Sequence, residues 1–140
     1  MNKREFAWLL AAICVACSAC SSKPAWQETP VYPTSGSVSV KGKSAYGAVV
    51  IFHPQGDVGM TKGNKPYAKV AEDGSFEVTT YVSGDGAPAG EYVITIIWPK
   101  NPNARGPSPD RLRGRYAIVE KSELKASIQA GDNLLPQWDL

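Results

Sequence analysis

The eight residues Glu91–Trp98, EYVITIIW, leave this chain little choice of secondary structure there. Alternation puts Tyr92, Ile94, Ile96 and Trp98 on one face and Val93, Thr95 and Ile97 on the other. A strand apolar on both faces is expected to be covered on both. Pro99 has no N–H to donate and ends it. The same period-two rhythm, with turn residues between, recurs along the chain. Val38 and Val40 alternate with serines over 36–41, and the apolar run AVVIFH at 48–53 stops at Pro54. Residues 66–71 alternate again, Glu72-Asp73-Gly74-Ser75 reads as a hairpin turn, and Phe76 and Val78 follow it. Leu124, Ala126 and Ile128 mark a sixth strand, and Gly131-Asp132-Asn133 turns into a last segment with Leu134, Trp138 and Leu140. Helical periodicity is absent, save for a possible turn at Asp110–Arg113. Seven short strands with regular turns predict an all-β fold, a two-layer sandwich.

The cysteines are Cys14, Cys17 and Cys20, all near the N-terminus, so the predicted domain has neither an internal disulfide nor a thiolate metal site. The first residues read as an address. Asn2-Lys3-Arg4 is basic, and Phe6–Ala16 (FAWLLAAICVA) is apolar but too short to span about 30 Å of hydrocarbon as a helix. Ser18-Ala19-Cys20 then resembles a lipobox, in which a small residue precedes a cysteine that is cleaved, acylated and made the new N-terminus. Cys17 fits the same pattern. Cys20 is the preferred anchor, because cleavage there discards the other two thiols. An ordinary cleavage near Ala19 and an uncleaved anchor are the competing readings. The resulting division is a signal peptide at 1–19, a lipidated cysteine with a Pro-containing tether at 20–34, and a domain at 35–140. Trp26 and Tyr32 either pack on the domain edge or belong to a loose tether. Ser21 and Ser22 follow the anchor without an aspartate, which by resemblance to the lipoprotein sorting rule implies the outer membrane. Loss of Lys3, Arg4 and Glu5 leaves 13 basic against 12 acidic side chains, too even a balance to steer the chain toward nucleic acid.

Several motifs together resemble transthyretin-like, or carboxypeptidase-regulatory-like, domains. They are Gly36-Ser37-Val38, then Gly47-Ala48-Val49-Val50-Ile51-Phe52-His53-Pro54, Asp73-Gly74-Ser75-Phe76, and Gly86-Ala87-Pro88-Ala89-Gly90-Glu91-Tyr92. The run Asp110–Tyr116, Ser122-x-Leu124 and Gly131-x-Asn133 is similar to small lipoproteins of planctomycete bacteria. The resemblance spans about residues 34–140 and implies a seven-stranded Greek-key sandwich of prealbumin type. Its motifs are architectural, so it implies a fold and no activity. Related hydrolases of purine catabolism use several histidines and a C-terminal Tyr-Arg-Gly-Ser; this chain has one histidine and ends Gln137-Trp138-Asp139-Leu140.

Candidate chemistry is sparse. His53 alone cannot build a multi-histidine metal site. Asp73, Asp85 and Asp132 sit beside glycines, which is first a turn signal and only secondarily a calcium one. Trp98 and Trp138 suit either sugar stacking or core packing. Lys41 or Lys43 with Asn133 has the order of an isopeptide pair. Arg105, Arg111, Arg113 and Arg115 cluster in the loop at 99–115 around Asp110. They form either an anion-binding patch or a solvated loop with one arginine paired to Asp110. The sequence thus predicts a non-enzymatic module without cofactor, lipid-anchored in a bacterial envelope. Its partner is an unidentified envelope protein or glycan; the alternative is an anionic-ligand binder that uses the four arginines.

Overall fold

The computed structural model describes residues 28–60 and 64–140; Cys17, Cys20, Trp26 and the segment 1–27 lie outside them. The described chain is all-β, two sheets packed face to face, with one 3-10 turn at Val119–Lys121. Among the described residues no helix is long and apolar enough to cross a membrane. The strands are β1 (Thr34–Val40), β2 (Lys43–Ser44), β3 (Val49–Pro54), β4 (Tyr67–Lys69), β5 (Ser75–Glu77), β6 (Gly90–Ile97), β7 (Lys125–Ile128), β8 (Asn133–Leu134) and β9 (Trp138–Asp139).

The second sheet runs β4-β3-β6-β7, all antiparallel, with Phe52 opposite Ile94 and Tyr92 opposite Ala126. The first sheet is built around β1. Antiparallel β5 pairs with Ser35–Ser37 and β2 with Ser39 and Val40, while β8 and β9 run parallel to β1. Nine strand segments are described where seven strands are expected, for two local reasons. A tight turn through Lys41 and Gly42, both at positive φ, folds Lys43–Ser44 back on β1. The last strand is broken at Pro136, which has no N–H for the ladder. Register shows the break to be a bulge: Ser35 opposes Leu134, but Val38 opposes Trp138, one residue further on.

The two inner faces meet in one core. Val38, Phe76, Leu135 and Trp138 come from the first sheet, and Val50, Phe52, Tyr92, Ile94, Ile96 and Ile128 from the second. Phe52 touches Phe76 and Tyr92 edge-on at centroid distances of 6.5 and 5.9 Å, and Phe76 stacks on Trp138 at 5.9 Å. Gly36, opposite Phe76 in the ladder, leaves room for that ring: a Cβ there would lie 2.6 Å from Phe76 Cζ. The outer residues of β6 are covered as expected, with Val93 and Thr95 both buried. Trp138 is a core residue, so the packing alternative holds for it.

Strand direction gives the sandwich two distinct ends. One pole gathers the start of β1, the end of β3 and the start of β6. The incoming chain docks there. Tyr32 exchanges two backbone hydrogen bonds with Ala87 (2.9 and 3.1 Å), and Thr29 binds Tyr81 Oη and the Gly59 carbonyl. The tether's last residues are therefore part of the domain, and Thr34 already lies buried in β1. The other pole gathers the β1–β2 turn, the hairpin before β5 and the long loop after β6. That loop reaches back so that Pro102 sits against Gly47 and accepts a hydrogen bond from Lys69. Eight residues of β6 separate the poles, about 25 Å at strand rise.

Candidate functional site

The loop after β6 contains no regular strand, yet it is tightly organised. Pro99 and Asp110 form an isolated antiparallel bridge, and Lys100 N–H donates to the Pro109 carbonyl at 2.9 Å, which closes the loop's neck. The organiser is Asp110. Its Oδ1 accepts the N–H groups of Trp98 (2.9 Å) and Leu112 (3.0 Å), and its Oδ2 accepts that of Gly114 (2.8 Å). One sequence reading pairs an arginine with Asp110; in the structure the carboxylate accepts three backbone amides. This short acidic side chain satisfies donors that no ladder reaches, the usual reason for aspartate in a turn.

Around it the cations separate. Arg111 is pinned: its N–H donates to the Trp98 carbonyl at 2.7 Å and its Nη2 to the Lys100 carbonyl at 3.0 Å. Its guanidinium lies 4.9 Å from the centre of the Trp98 ring, a cation–π geometry. That contact occupies a face of Trp98 a sugar would need. The indole N–H meanwhile donates to the Tyr46 carbonyl at 2.8 Å. Arg113 is exposed and has φ of 55°, in the left-handed region. Arg111 and Arg113 line an open groove of about 630 Å³ together with Lys100, Pro109 and Asp110. Arg115 lies over Tyr116 at 5.5 Å and lines a separate groove with Lys121, Glu123 and Asp139. Arg105 sits exposed at the loop tip and lines neither groove. The four arginines thus form no single patch. Two share a site, and Lys100, which arginine counting overlooks, completes it. Its place just beyond Pro99, beside the neck of the loop, is the signal that could have found it.

The remaining candidates have local roles. Asp73 Oδ1 accepts both the N–H and the hydroxyl of Ser75, and those two bonds hold its carboxyl below the usual range. Burial pushes Asp85 up, but the N–H groups of Thr80, Val82 and Tyr81 together bring it below its ordinary value. Asp73 belongs to one pole and Asp85 and Asp132 to the other. Among the described residues no three histidine, cysteine or acidic side chains cluster as metal ligands. His53 Nε2 lies 2.8 Å from Thr95 Oγ1 on the outer face of the second sheet. Burial and then Lys65 lower its pKa, against the opposing pull of Glu120. Asn133 donates to the Gln129 and Gly131 carbonyls at the tether pole, opposite Thr34. Lys41 and Lys43 are at the far end of β1, so the isopeptide pairing fails on geometry. Asp139 closes that end: its Oδ1 accepts Gly42 N–H and the Ser39 hydroxyl, which lower its pKa. No family model, curated protein or solved structure matches the chain.

Proposed function

We propose that this chain is a non-enzymatic lipoprotein of a bacterial cell envelope. Cys20 carries the lipid, the outer membrane holds it, and the sandwich serves as an interaction module. The observation that carries the reading is the polarity of the domain. The tether side docks at one pole through Thr29 and Tyr32, while the long cationic loop occupies the opposite pole. A lipid at Cys20 would then hold the loop about 25 Å beyond the docked end of the tether, facing away from the membrane.

Within this reading the sandwich is of Greek-key, transthyretin-like type. Taking β8 and β9 as one bulged strand and β2 as an arm of its turn leaves seven strands. Tyr92 supports it too: its hydroxyl donates to the Pro88 carbonyl at 2.7 Å, four residues upstream, at the entry to β6. Such a back-bonded tyrosine recurs in Greek-key sandwiches. Burial pushes its pKa to about 12, as suits a phenol that must stay protonated to donate.

The anchor is tested by growing cells on labelled palmitate. The wild-type chain and Cys17→Ser should carry label, and Cys20→Ser should carry none. Label lost from Cys17→Ser but kept in Cys20→Ser would move the anchor, and an unlabelled wild type would refute it.

A further inference from the structure

We infer that the groove formed by Lys100, Arg111 and Arg113 binds the acidic groups of an anionic glycan. The inference deepens the reading of the domain as an interaction module, and relies on the anchor only for the direction in which the groove faces. Three residues that carry cationic side chains line it, against one acidic residue. The carboxylate of that residue, Asp110, already receives three backbone N–H groups, so its charge is dispersed before any ligand arrives. Arg111 is held by its bond to the Lys100 carbonyl and by the Trp98 ring, so it loses little freedom on binding a carboxylate.

Arg113 is exposed beside Arg111, at φ of 55°, a left-handed position that the Asp110 turn imposes just as the β1–β2 turn imposes φ of 51° on Lys41. The backbone bonds Arg113 N–H to Asp110 O (3.1 Å) and Gly114 N–H to Asp110 Oδ2 (2.8 Å) fix the turn that presents it. The groove is open to solvent rather than enclosed, which suits a unit within a longer polymer better than an engulfed small molecule. Anionic lipid headgroups offer the same oxyanion chemistry, but the groove is on the pole away from the tether.

The test uses the full mature chain in neutral detergent, titrated with oligogalacturonate, neutral maltodextrin and the water-soluble lipid headgroup glycerol phosphate. Oligogalacturonate should bind, more weakly at high salt, and maltodextrin should not. The informative variant is Arg113→Gly. It relieves the left-handed strain, so its thermal midpoint should be unchanged or higher, while affinity falls at least fivefold. Arg111→Lys keeps charge but loses the fork and should fall similarly; Arg105→Ala should stay within twofold. Equal binding by Arg113→Gly, binding of maltodextrin as tight as that of oligogalacturonate, or a clear preference for glycerol phosphate would each overturn the inference. Palmitate labelling is unaffected by all of these, so failure here is distinct from failure of the anchor.

Discussion

Phe52→Ala is expected to destabilise the domain by about 3–5 kcal/mol, a large fraction of the about 5–15 kcal/mol that holds a small domain together. Phe52 is fully buried and, among the described residues, is the only aromatic ring packed edge-on against both Phe76 and Tyr92, so it joins the two sheets. Truncation removes its transfer energy and leaves a void between rings held by separate strands, which can collapse only if the sheets move. Thermal unfolding followed by circular dichroism should show a midpoint lowered by at least about 10 °C. Leu134→Ser is the control. That leucine is 84% exposed and should change stability by less than about 0.5 kcal/mol. A small effect from Phe52→Ala would mean that the sheets do not share a core.

Gly86→Ala has the second largest expected effect, for a reason invisible to hydrophobicity. Gly86 has φ of 99° and lies so close to Tyr32 that a Cβ would fall 1.7 Å from its carbonyl oxygen. Backbone strain of about 1–2 kcal/mol and forced displacement of about 1–3 kcal/mol together give a loss of about 3 kcal/mol. The damage should be local first. Tyr32 and Ala87 exchange backbone hydrogen bonds next to Gly86, so their amides should exchange faster than those of β6. Phe52→Ala, by contrast, should raise exchange throughout both sheets. Uniform protection in Gly86→Ala would show that the tether end is not docked at that pole.

The parts legible in the sequence were those governed by alternation and turn chemistry. Glu91–Trp98 declared its strand and both its faces, and Asp73-Gly74-Ser75 declared its hairpin, because neighbouring residues supply the whole cause. The bulge at Pro136 and the parallel pairing of β8 and β9 with β1 were not legible, since they depend on contacts between residues about 100 positions apart. Arginine spacing likewise suggested one cluster of four. The turn around Asp110 instead sends Arg115 toward Lys121 and leaves Arg105 at the tip, and only the closed neck of the loop brings Lys100 beside Arg111 and Arg113. For Tyr32 the sequence left two readings, domain edge or loose tether, and its backbone pairing with Ala87 decides for the edge.

Opposite poles for anchor and groove are the claim on which the functional account turns, and distance to the bilayer measures it. If processing occurs at Cys20, the mature chain has no other cysteine, so Asp57→Cys and Arg105→Cys can each carry one fluorophore. Both positions are exposed, one at the tether pole and one at the loop tip. Energy transfer to acceptor lipids in reconstituted vesicles should be strong from position 57 and markedly weaker from position 105. Equal transfer, or stronger transfer from position 105, would contradict the account.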